Sequence, residues 1–97
     1  MSYRLYWRRN DGVGGHVWLS SGDLDALATE MAVQGMAWPA GRVPGPGAEA
    51  TVSADEVDAM VEAAQEIPVT IGDARLWLDW LVFLEGAARN GGLLIRA

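Results

Sequence analysis

Residues 73–91 are the most apolar stretch of the chain, and their spacing predicts a helix. At a period of 3.6 residues, apolar side chains cover almost the whole circumference, and the interior charged positions are few. A helix of this kind is normally buried on several sides. We therefore expect it to be the central element of the fold or a surface that another molecule covers. One face holds Leu76, Trp80, Phe83, Leu84 and Ala87, most of the rest holds Trp77, Leu78, Leu81 and Val82, and the charged positions are Arg75, Asp79, Glu85 and Arg89.

Three segments have the pattern of strands. Within residues 3–9, Tyr3, Leu5 and Trp7 alternate with side chains that would face the other way. Turn-forming residues occupy positions 10–15 and residues 16–19 are again extended in character, which predicts a hairpin. Residues 93–95 are apolar on both faces, a pattern typical of an interior strand with a parallel neighbour. A further short strand is predicted at residues 69–71.

Two amphipathic helices are predicted between the hairpin and the apolar helix. The first follows the capping serines at positions 20 and 21 and ends near Gly35. The second begins with a capping box formed by Ser53 and Glu56, and Pro68 limits it. Residues 37–50 lie between them and hold three of the four prolines, so we expect an irregular loop.

These elements predict one α+β domain over residues 1–97. The expected sheet is mixed and has three to four strands, with the N-terminal hairpin and the C-terminal strand as members. About three helices would pack on one of its faces.

Composition excludes several kinds of chemistry. A net charge of −6 is opposite to the basic surface that nucleic acids require, so we expect a basic protein partner. There is no cysteine and only one histidine, so we expect no disulfide, no metal, no cofactor and no catalytic triad. The chain shows neither a signal peptide nor an apolar run long enough to cross a bilayer, so no membrane association and a cytoplasmic location are expected.

The acids are concentrated in the middle of the chain. Residues 21–70 carry nine acids against the single base Arg42. One interpretation is a solvated helix face, because acids near helix starts also favour the helix dipole. The functional interpretation is a protein-binding module that docks an acidic face onto a basic partner. Its predicted binding residues are Trp38 as anchor in the 37–50 loop, Arg42 beside it, and Asp55, Asp58, Glu62 and Glu66 as steering charges.

Two other functions remain open from the sequence. Trp77 and Trp80 are three residues apart and cannot both point at one sheet. A homodimer that uses this surface is therefore one alternative. A small-ligand protein or cofactor-free enzyme would need a pocket lined by Trp38, Tyr6 and His16. The remaining tryptophans, Trp7 and Trp18, are expected in the core.

The closing helix-to-strand unit, residues 86–95, resembles barstar-type nuclease inhibitors and small bacterial immunity proteins in its pattern. The order of elements and the acidity are similar as well. The resemblance covers the last quarter of the chain and contains no diagnostic motif, so it implies an inhibitor or immunity type of function without assigning site residues.

Overall fold

A computed structural model describes residues 2–9, 15–38, 43–64 and 67–97. The described residues form four strands and three helices. In chain order these are β1 (Ser2–Trp7), β2 (His16–Ser20), α1 (Ser21–Val33), β3 (Glu49–Val52), α2 (Ala54–Ala63), α3 (Ala74–Arg89) and β4 (Leu93–Arg96). The predicted α+β class is confirmed.

The strands form one open sheet in the order β2-β1-β4-β3, and every described pairing is antiparallel. The sequence predicts the interior position of β4 correctly, but the parallel neighbour expected in a mixed sheet is wrong. A single helix between two adjacent strands returns the chain parallel to its start, as in a βαβ unit. Here two successive helices, α2 and α3, separate β3 from β4, so the chain re-enters the sheet in the opposite direction.

Strand alternation divides the sheet into a covered face and an open face. On the covered face, Leu5 lies opposite Val17 on β2 and Ile95 on β4, and Ile95 lies opposite Ala50 on β3. The helices pack on this face, and one hydrophobic core joins buried side chains from all seven elements. The other face carries the intervening side chains and no described helix.

Helix α3 is the central element of the core. Its buried side chains are Trp77, Trp80, Phe83, Leu84 and Ala87. The Trp80 ring lies between Trp38 and Phe83, with ring centroids 5.9 Å away in both directions, and Phe83 stacks in turn on Trp7 at 6.1 Å. This aromatic row runs from the segment after α1 to strand β1.

The start of α2 and the end of α3 follow the predicted signals, whereas α2 ends at Ala63 rather than at Pro68. Ser53 and Glu56 form the capping box at the start of α2, with the Glu56 amide donating to Ser53 Oγ at 3.1 Å. Helix α3 ends at Arg89 with Asn90 as its C-cap, and Gly91 and Gly92 then take positive φ values of 81° and 90°. Those φ values favour glycine, which explains the predicted stop.

In the linking segments, one predicted strand is absent and one strand is present that was not predicted. Residues 69–71 are not a strand, because the amides of Thr70 and Ile71 donate to the Glu30 carboxylate rather than to another strand. Strand β3, which the sequence interpretation missed, begins at Glu49 inside the predicted 37–50 loop. Residues 43–48 are irregular as predicted, and residues 39–42 lie outside the described part.

Candidate functional site

Three of the predicted steering acids lie together on the outer side of α2. Asp55, Asp58 and Glu62 are exposed, while Val57 and Met60 on the opposite side are buried in the core. None of the three carboxylates forms an ion pair with any residue that the structure describes. The helix therefore presents a solvated row of negative charge.

A groove between α2 and α3 adds a fourth acid to this row. Its volume is about 270 Å³, and it is lined by Asp58, Val61, Glu85, Ala88 and Arg89. Glu85 is exposed on α3, and sequence analysis assigned it only to the polar side of that helix. Its proximity to Asp58 depends on how α2 and α3 pack, which the spacing within either helix does not reveal. We call Asp55, Asp58, Glu62 and Glu85 the acidic surface.

Other acids from the middle of the chain serve the fold instead. Glu30 is buried and accepts hydrogen bonds, and Glu56 closes the capping box. Glu49 lies on the sheet and pairs with Arg96 at 2.9 Å. The acidity counted along the sequence therefore overstates the available docking charge. Arg42 and Glu66, both predicted binding residues, lie outside the described residues.

Trp38 differs from the exposed anchor that the sequence predicts. Its side chain is half-buried against Trp80, and its Nε1 atom is buried without a hydrogen-bond partner among the described residues. The expectation fails because the segment after α1 turns inward at Met36, which is fully buried. The indole therefore belongs to the edge of the core.

The predicted dimer surface is also in the core. Trp77 and Trp80 are only 4% and 2% exposed, and Trp80 Nε1 donates to the Met31 sulfur at 3.3 Å. Because α3 is covered on two sides, both tryptophans find partners within the chain. The exposed apolar residues of α3 are Leu78 and Val82, which are 58% and 68% exposed.

The open face of the sheet holds aromatic and basic side chains. Arg4 lies opposite Trp18 on β2 and Arg96 on β4. The Arg4 guanidinium carbon is 4.6 Å from the centroid of the Trp18 ring, and Trp18 is 63% exposed. Tyr6 lies beside His16 on the same face, with ring centroids 6.2 Å apart. The prediction that Trp18 is a core residue is therefore wrong.

This arrangement does not form the predicted ligand pocket. Tyr6 and His16 lie on the open face, whereas Trp38 packs with Trp80 on the helix side. The sheet separates them. Among the described residues there is also no group of three or more His, Cys, Asp or Glu side chains that could hold a metal ion.

Comparisons with known proteins give no relative. No protein family, curated protein or solved structure is significantly similar to this chain. None of the described helices has the length and apolar character required to cross a membrane.

Proposed function

We propose that this protein is a small protein-binding module that docks its acidic surface onto a basic partner protein, as an inhibitor or immunity protein would. The observation that carries the proposal is the acidic surface itself. Two neighbouring helices contribute four exposed carboxylates, and no described cation pairs with any of them. A cytoplasmic location is part of this proposal.

Such a surface would guide a partner protein of opposite charge to the docking site and would select it over other proteins. Exposed like charges attract a partner of opposite charge from a distance and raise the association rate, and salt weakens the effect. The groove between Asp58 and Glu85 adds small apolar contacts at Val61 and Ala88. A basic side chain of the partner would lie between the carboxylates, with its aliphatic part on those two residues.

Charge reversal tests this proposal directly. Tagged wild-type protein and the double variant Asp58→Arg/Glu62→Arg are used to capture proteins from the native host, and bound proteins are quantified by mass spectrometry. We expect the wild type to enrich a basic protein that the variant loses. In a purified titration at low salt, the variant should bind that partner at least about tenfold more weakly, mainly through slower association.

A matched control variant distinguishes the effect of the acidic surface from the effect of net charge. Asp23→Arg/Asp25→Arg makes the same change in net charge with two exposed acids of α1. It should retain the partner. If both double variants lose binding equally, or if the wild type enriches no protein over Asp58→Arg/Glu62→Arg, the acidic surface is not the docking site.

A further inference from the structure

The outer edge of β2 has free backbone groups. Strand β2 is at the end of the sheet, and the Trp7 amide donates to the Gly15 carbonyl at 2.8 Å. Hydrogen-bonded pairs alternate along antiparallel strands, so the backbone groups of residues 17 and 19 also face β1. Those of His16 and Trp18 face outward, as does the Ser20 amide, while the Ser20 carbonyl belongs to the first turn of α1. No described strand pairs with them.

This edge lacks the features that normally block strand pairing. Natural edge strands are protected by charged side chains, proline or bulges. Strand β2, with the sequence HVWLS, contains no acid, no lysine or arginine, no proline and no glycine. The opposite edge strand, β3, starts instead with Glu49, which pairs with Arg96. The two edges of the sheet are thus unequal, and only β2 is unprotected.

An apolar groove lies beside this edge on the covered side of the sheet. Its volume is about 250 Å³, enough for one or two aliphatic side chains, and its lining comes from β2 and α3. The lining residues are Val17, Trp18, Leu19, Leu76, Asp79 and Trp80. A strand added to β2 would direct every second side chain into this groove.

The open-face side of the same edge is positively charged. The Arg4 guanidinium lies over Trp18, so its charge is displaced from β1 toward the edge. Arg4 has no carboxylate partner among the described residues, so its charge is available to a partner. Neighbouring strands are about 4.8 Å apart, so a carboxylate on the next strand would come within reach of the guanidinium.

We propose that β2 binds an extended segment of a partner protein as an additional strand, with apolar side chains in the groove and acidic side chains beside Arg4 and Trp18. Backbone hydrogen bonds to residues 16, 18 and 20 supply affinity, and the two faces supply specificity. The occupant is defined by charge complementarity with Arg4. It is opposite in charge to the partner of the acidic surface, so the two sites are independent.

Capped model peptides serve as the probe. One alternates glutamate with valine, and a second replaces each glutamate with lysine. Binding is measured by calorimetry with the full chain. The acidic peptide should bind at least about tenfold more tightly than the basic one, and Arg4→Glu should reverse that preference. N-methylation of peptide amides that face β2 should abolish binding because it removes backbone donors.

Two variants complete the test. Trp18→Glu places a negative charge on the open face of the edge, opposite the glutamates of the added strand, and should weaken binding of the acidic peptide at least about tenfold, with circular dichroism verifying the fold. Arg89→Glu changes the net charge as Arg4→Glu does, but lies on the α2–α3 groove. It should leave the peptide preference unchanged.

The opposing outcomes are equally specific. Equal binding of both peptides, or no binding of either, overturns the proposal. Self-association of the free protein that Trp18→Glu abolishes would assign the edge to a second copy. Tighter binding of single-stranded oligothymidylate than of the acidic peptide would assign the open face to nucleic acid. Failure of the acidic surface to bind a partner leaves this site unaffected.

Discussion

At the scale of single residues, the contact between Trp7 and Gly86 is a close constraint on packing. The Trp7 indole lies directly on the backbone of α3, where its Nε1 donates to the Phe83 carbonyl at 3.0 Å. A Cβ built on Gly86 would lie 2.6 Å from Trp7 Cε2 and 2.7 Å from Cη2. Strand β1 and helix α3 can approach this closely only because residue 86 has no side chain.

Gly86→Ala should therefore destabilise the protein. Alanine within a helix normally gains about 1 kcal/mol over glycine. Here the methyl group would displace the indole, which costs about 1–3 kcal/mol in overpacking and also breaks the hydrogen bond from Trp7 to the Phe83 carbonyl, so the net effect is a loss of stability. Urea unfolding followed by tryptophan fluorescence measures the difference.

Gly22→Ala is the matched control, because it also lies in a helix and its added methyl group would approach only Ser20 Oγ at 3.8 Å. It should stabilise the protein by about 0.5–1 kcal/mol. The same sign of effect in both variants would contradict the close-contact explanation.

The burial of individual tryptophans could not be predicted from the local sequence alone. Trp18 was expected in the core and is 63% exposed, whereas Trp38, the candidate for an exposed anchor, is half-buried against the core. In the segment His16–Ser20, apolar residues occupy three consecutive positions, so alternation alone does not say which face is covered. The pairing register with β1 determines which side chains of β2 lie on the covered face, because a register shift of one residue exchanges the two faces. The Arg4–Trp18 stack of the β2 site could therefore not be read from the sequence.

At the scale of elements, the start of α2 depends on its capping box. Ser53→Ala removes the oxygen that accepts from the Glu56 amide and should reduce the free energy of unfolding by about 1 kcal/mol. Chemical denaturation quantifies the loss. Ser53→Gly should cost only a few tenths of a kcal/mol, because glycine leaves the helix amides open to water. Equal losses would show that the serine acts through something other than capping.

Elements with local end signals were predicted well, and elements that depend on distant partners were not. The capping box located α2, and the glycines after Asn90 located the end of α3. Strand β3 has only four residues, and pairing with β4 defines it. The acidic surface divides in the same way: Asp55, Asp58 and Glu62 follow from one helix, whereas Glu85 joins them only through helix packing.

At the scale of the whole molecule, the net charge of −6 conceals two different surfaces. The helix layer carries the acidic surface, and the open face of the sheet carries Arg4 over the exposed Trp18 ring, while Arg96 on that face is paired with Glu49. A single net charge therefore describes neither surface. Opposite layers of one small fold can engage partners of opposite charge, since the sheet lies between them.

The buried carboxylate of Glu30 joins α1 to the segment before α3, and the stability of the protein in acid depends on this connection. The Glu30 carboxylate is 1% exposed and accepts hydrogen bonds from the Gln34 side chain at 2.9 Å, the Thr70 hydroxyl at 2.8 Å and the Ile71 amide at 2.7 Å. The bond from Gln34, followed by those from Thr70 and Ile71, lowers the pKa of Glu30 below its ordinary value, although burial opposes the shift. The folded protein therefore favours the ionised carboxylate.

The sign of the pH dependence follows from that lowered pKa. The contribution of Glu30 to stability is complete above the pKa of an unfolded glutamate, about 4.3, and is lost as the pH falls through the lower folded value. Glu30→Gln should be less stable than the wild type at neutral pH, and the gap should narrow below about pH 4. Urea unfolding midpoints of both proteins across this range measure it. Glu62→Gln, at an exposed acid, controls for general charge effects, and a gap that stays constant with pH would show that the Glu30 carboxylate does not hold the segment before α3.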